Sequence, residues 1–139
     1  MKLAKFSVKG IEEYALKLSK LGDKADEVTK KAVYAGAKVI ADEIHKNLTE
    51  TLSGESTGDL ESSFGITPIS QDKKGNWNCK IGFDGYDKAG VPNQLKARVL
   101  ESGSSRQKKR PFVRPAVRAK KNEALKEMGA VIDSELSKI

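Results

Sequence analysis

The sequence predicts an α+β fold in which a small antiparallel sheet packs against a long helix, with a short N-terminal helix and a C-terminal helix. Three observations lead there. A helical apolar period runs for nearly thirty residues after Asp23, and another follows Pro115; between them, residues 64–83 alternate apolar and polar around a turn-rich pentapeptide. Helices and strands therefore occupy separate stretches, as in α+β domains rather than in alternating βαβ units. The length of 139 residues suits one domain spanning 1–139.

The elements follow in order. Residues 3–8 alternate Leu3, Lys5 and Ser7 against Ala4, Phe6 and Val8, which reads as a short edge strand closed by Gly10. Ile11, Tyr14 or Ala15, Leu18 and Leu21 recur every three or four residues, giving an amphipathic helix stopped by Gly22. Asp23 reads as the N-cap of the long helix, with Asp26 and Glu27 in its first turn. Its expected apolar stripe is Val28, Ala32, Ala35, Val39, Ile40, Ile44 and Leu48, and the Ala32–Gly36 stretch leaves room for another backbone. Ending near Leu52, such a helix would be roughly 45 Å long, more than a domain of this size covers unaided.

Residues 53–59 form a polar, glycine-containing loop, expected to be mobile. Phe64, Ile66 and Pro68 then make one strand, Asp72-Lys73-Lys74-Gly75-Asn76 a turn, and Trp77, Cys79, Ile81 and Phe83 the inward face of a second strand. Pro68 cannot donate to a ladder, which puts that end of its strand at an edge or bulge. A second mobile loop is expected at 84–92, then a short helix over Gln94–Leu100 stopped by Gly103. Pro115 suits the first position of the last helix, whose expected stripe is Val117, Leu125, Met128, Ile132, Leu136 and Ile139.

Composition narrows the function. No apolar run approaches the ~20 residues of a membrane span, and the N-terminal residues lack a secretory apolar core, so the chain reads as soluble and unexported, with no membrane partner. With 37% hydrophobic and 32% charged residues, apolar content is lean, which suits a subunit completed by neighbours. A single cysteine, Cys79, sits on an apolar strand face and reads as a structural thiol. The lone histidine, His45, lies among Asp42, Glu43 and Lys46 on a solvated helix face. No serine sits in a Gly-x-Ser-x-Gly elbow, no acidic pair has calcium-loop spacing, and no glycine run precedes a helix as a phosphate loop does. No catalytic residue, metal ligand or cofactor is expected, and the chain reads as non-enzymatic.

The net charge of +7 is concentrated. Arg106, Lys108, Lys109, Arg110, Arg114, Arg118, Lys120 and Lys121 fall in one stretch without an acidic residue between them. Residues before proline avoid the helical region, so Arg110 and Arg114 are expected to be extended, with Phe112 and Val113 free to plug an apolar pocket. Cations in the first turns of a helix oppose its macrodipole, which favours a use such as facing DNA or an acidic partner. Phe112 is expected to anchor a subunit interface.

Three short motifs carry a resemblance. Thr57-Gly58-Asp59-Leu60-Glu61-Ser62-Ser63, Leu100-Glu101-Ser102-Gly103-Ser104 and Arg110-Pro111-Phe112-Val113-Arg114-Pro115-Ala116, in that order around a hairpin and after a long helix, resemble the phage tail-component proteins. These are also described as head–tail joining or tail-completion (neck) proteins of long-tailed phages. Ser102 and Ser104 replace the aromatic and threonine common there, and Glu55-Ser56 replaces a Pro-Val lead. The resemblance implies a structural virion subunit, assembled in the host cytoplasm into a homo-oligomeric ring, hexameric by analogy. It would sit at the head-proximal end of the tail, against tube and connector proteins. Candidate interface residues are Thr57, Gly58, Leu60, Glu101, Gly103, Pro111, Phe112, Val113 and Pro115. The alternative is a small basic nucleic-acid-binding protein that uses residues 106–121.

Overall fold

The structure, a computed structural model, describes residues 4–7 by their backbone path and residues 18–52 and 58–138 in full. Of the predicted first helix, residues 11–17 lie outside the described residues, as do residues 53–57 of the first loop; Leu18 and Ser19 are helical. The fold is α+β. Strand β1 (Ala4–Ser7) is followed by a 3-10 turn (Gly22–Lys24), the long helix α1 (Ala25–Thr51) and the single-turn α2 (Asp59–Ser62). Strands β2 (Phe64–Ile66), β3 (Ser70–Gln71) and β4 (Trp77–Phe83) then lead to helices α3 (Asn93–Ser102) and α4 (Val113–Leu136).

β4 is the centre of the sheet. β1 pairs antiparallel along one side, Ala4 opposite Ile81 and Ser7 opposite Asn78, whereas β2 and β3 lie end to end along the other. Pro68 breaks that second edge into two pieces. At the break the Thr67 N–H still donates to the Lys80 carbonyl (2.8 Å), while the Lys80 N–H turns to the Thr67 hydroxyl oxygen (2.8 Å). The predicted turn closes through the Asp72 carboxylate, which accepts from the Lys74 and Asn76 N–H groups, with Gly75 at φ 84°.

α1 packs against both the sheet and α4. It begins one residue later than Asp23 implied: Lys24 holds the N-cap position and no side chain caps it, because Asp23 is taken into the 3-10 turn. α1 and α4 run antiparallel, with Val28 and Ala32 beside Met128 and Ile132, and Asn47 reaching Phe112 at the far end. Both helices bury rows of every fourth residue: Val28, Ala32, Gly36, Ile40, Ile44 and Leu48 on α1, and Ala116, Ala124, Met128 and Ile132 on α4, where the half-buried Lys120 interrupts the row. Such rows interdigitate as ridges in grooves, and the small residues among them let the axes approach.

This geometry corrects both predicted stripes. Ala35 and Val39 are only partly buried while Val33, Ala37 and Ala41 enter the core; Val117 and Leu125 are exposed, at 37% and 42%. Ile139 lies outside the described residues. The largest fully buried side chains, among them Phe83, Phe112, Ile44, Leu48 and Ile81, each contribute about 1.5–3 kcal/mol relative to exposure. Cys79 is 1% exposed, and burial pushes its thiol up to about 11.

Candidate assembly site at a junction of three helix ends

α3 stops at Gly103, whose φ of 79° is left-handed and whose N–H donates to the Val99 carbonyl at 2.7 Å. The chain then folds back. Ser104 accepts the Arg106 and Gln107 N–H groups on its hydroxyl and donates its own N–H to Gln107, and the Arg110 N–H returns to the Leu100 carbonyl at 2.7 Å. The return is tight enough that a Cβ on Gly103 would lie 2.9 Å from the Lys109 backbone nitrogen.

This reversal carries the first residues of α4 past the last turn of α3, where Glu101 waits. Its carboxylate accepts three N–H groups, from Phe112 (2.8 Å), Val113 (2.8 Å) and Arg114 (3.2 Å). A helix start leaves about four backbone donors without partners. Here Glu101 takes three, and Pro115, the third helical residue, has none to offer. A buried anion at a helix N-terminus also meets the positive end of the macrodipole. The Glu101 and Pro-Phe-x-x-Pro-Ala motifs are thus two halves of one lock.

The third helix end is that of α1. The Arg110 guanidinium donates to the Thr51 carbonyl at 3.3 Å, placing a cation against the last turn, and the Asn47 amide donates to the Phe112 carbonyl at 3.2 Å. The Phe112 ring is fully buried and meets Phe83 edge-on at 6.0 Å; Phe83 meets Phe64 at 5.2 Å, and Phe64 meets the exposed His45 at 5.8 Å.

The predicted interface residues therefore separate. Phe112, Val113 and Glu101 are buried inside this chain, so the apolar pocket that Phe112 fills belongs to its own domain. Pro111 and Pro115 are exposed, Gly58 and Gly103 shape turns with positive φ, and Leu60 lines a groove. Thr57 lies outside the described residues.

The predicted basic strip also divides. Arg106, Lys108 and Lys109 are exposed on the reversal, and Arg110 caps α1. Arg114 is helical rather than extended, because the first turn of a helix accepts a following proline that needs no N–H partner. Lys120 bonds Glu123 at 3.0 Å, which raises its pKa with a smaller contribution from nearby Glu43. Arg114, Arg118 and Lys121 are exposed and form no ion pair among the described residues.

Beside the junction lies an open, mostly apolar groove of about 330 Å³, lined by Leu52, Leu60, Val91, Leu95, Val99 and Leu100 together with Lys96, Gln107 and Arg110. Val91 and Leu95 are 37% and 47% exposed. Val91 belongs to the 84–92 loop, which is bound by its own contacts. The Asp87 carboxylate accepts the Val91 and Ala89 N–H groups (2.9 Å each) and the Lys96 ammonium (3.0 Å), with the Val91 bond the leading cause of its lowered pKa. Among the described residues, no cluster of three His, Cys, Asp or Glu could hold a metal ion, and no helix is long and apolar enough to cross a membrane.

Asn47 and the capping roles of Glu101 and Arg110 escaped the sequence reading. The Glu101 role had a signal in retrospect, an acidic residue in the last turn of one helix ten residues before a proline-led start of the next. Asn47 had none.

Comparison with curated proteins and with solved structures returned no match. A protein-family model described as "Bacteriophage HK97-gp10, putative tail-component" matches residues 12–103, from before α1 to the glycine that ends α3. The match takes in the Thr57–Ser63 and Leu100–Gly103 motifs, the groove walls and Glu101, and it ends before the basic strip and α4. The chain belongs to the HK97-gp10-like family of bacteriophage tail components.

Proposed function

We propose that the chain is a ring-forming structural subunit at the head-proximal end of the tail, joining or terminating the tube where it meets the head connector. The family match over residues 12–103 carries this reading. The groove of Leu52, Leu60, Val91 and Leu95 supports it, since it leaves Val91 and Leu95 exposed next to the helix junction. A second copy of the chain is the occupant we assign to that groove. Each subunit would present its groove to the next, a head-to-tail arrangement that closes into a ring. A hexamer is the stoichiometry we expect.

The test has two parts. Purified chain mixed with tail tubes should cap one end of each tube in electron micrographs, and light scattering should report a closed oligomer. Leu95→Asp, an exposed substitution in the groove wall, should abolish both while leaving the circular-dichroism spectrum and melting temperature near those of the parent. A chain that stays monomeric and never binds tube or connector would overturn the proposal.

A further inference from the structure

The exposed face of α4 has a character of its own. Positions 114, 117, 118, 121 and 125 follow the spacing i, i+3, i+4, i+7, i+11 and so share one side of three helical turns, about 16 Å of helix. That side carries Arg114, Val117, Arg118, Lys121 and Leu125, all exposed, with no acidic residue among them. The three cations have no ion-pair partner among the described residues, whereas Lys120, turned away from this face, is paired with Glu123. Two aliphatic side chains at 37% and 42% exposure sit within the cationic row.

We infer that this face docks an acidic amphipathic helix of a partner protein. Charge complementarity selects the sign of the partner: three unpaired cations without an anion attract a carboxylate-rich surface. The interleaved Val117 and Leu125 select its class. A helix carrying leucines flanked by glutamates would bury both aliphatic side chains and pair the cations, while a phosphate backbone would leave the aliphatics wet. The backbone anion site that a helix N-terminus offers to phosphate is already filled by Glu101, and the face holds no aromatic side chain for base stacking. The inference stands independently of ring formation, because a monomer presents the same face.

The experiment uses the full chain and fluorescence anisotropy. One probe is a fluorescein-labelled helical peptide of about three heptads with leucines on one face flanked by glutamates; the second has glutamine for every glutamate, and the third is a duplex DNA of roughly 20 base pairs. The acidic peptide should bind at least about tenfold more tightly than the glutamine peptide. Arg118→Glu with Lys121→Glu, which leaves Arg114 beside Glu101 untouched, should weaken it roughly five- to tenfold. Val117→Ser with Leu125→Ser should weaken it about threefold or more, with unchanged circular dichroism in both variants. Failure of the acidic peptide to bind, or indifference to either pair of substitutions, would overturn the inference. So would tighter binding of the duplex that the serine pair leaves unchanged, which would make the face a nucleic-acid surface.

Discussion

Replacing Glu101 by alanine removes, in one step, the acceptor of three backbone donors at the start of α4. The Phe112 and Val113 N–H groups belong to buried residues and hold their bonds at 2.8 Å; the Arg114 bond is longer, 3.2 Å, and lies where water reaches. Leaving a buried donor unsatisfied costs about 1–3 kcal/mol, and a carboxylate at a helix N-terminus contributes up to ~2 kcal/mol through the macrodipole. Two stranded donors plus the lost charge, partly relieved by water entering the vacated space, come to about 3–4 kcal/mol. Against a usual total of about 5–15 kcal/mol, that is a large fraction. Glu101→Gln keeps one acceptor oxygen but turns an amide donor toward the remaining N–H, and should cost about half as much. Urea unfolding followed by circular dichroism measures both, with Glu50→Ala, an exposed position on α1, as the reference expected to change little. A Glu101→Ala variant within ~0.5 kcal/mol of the parent would refute the lock, since no counting of two buried donors gives so small a number.

Three further outcomes are expected. Gly103→Ala forces a Cβ against the Lys109 and Gln107 backbone in a left-handed conformation and should cost about 2–3 kcal/mol, read from the same urea curves. Cys79, 1% exposed with its thiol raised to about 11, should resist a disulfide reagent such as Ellman's at pH 8 and react fully only after denaturation; fast labelling of the native chain would contradict its placement. The Asp87 carboxylate has a lowered pKa, so its contribution is present above its unfolded value and is lost as pH falls through its folded one. The protection of the Ala89 and Val91 amides, measured by NMR hydrogen exchange relative to the intrinsic rate at each pH, should fall in that acidic window and hold at neutral pH.

The α+β class, the long helix, the proline-broken edge and the strand at β4 were legible because each depends on local period and turn chemistry, but β4 does not alternate in burial: Asn78 and Gly82 are buried beside Cys79, Ile81 and Phe83. The two apolar stripes were only half legible. A pattern search assumes that a buried face runs straight along a helix, but α1 and α4 pack along rows of every fourth residue, which drift around the axis; Val117 and Leu125 fall off such a row and Ala116 and Ala124 fall on it. The site was legible as motifs and not as chemistry. Phe112 was read as a plug for a pocket, and it is one, in its own domain. Glu101 and Arg114 were noticed separately, and only the reversal at Gly103 brings a carboxylate to the N–H groups eleven to thirteen residues ahead. Lys120 looked like one more cation until its distance to Glu123 set it apart.

The lock at Glu101 also bears on how the core is completed. Without α4, the carboxylate at the end of α3 lacks its three donors, and Val28 and Ala32 of α1 lack Met128 and Ile132, the residues they pack against. Residues 112–132 thus supply both the donors for Glu101 and the cover for that end of α1. One end of the α1 core and the cap of α4 are therefore completed together, by the same stretch of chain.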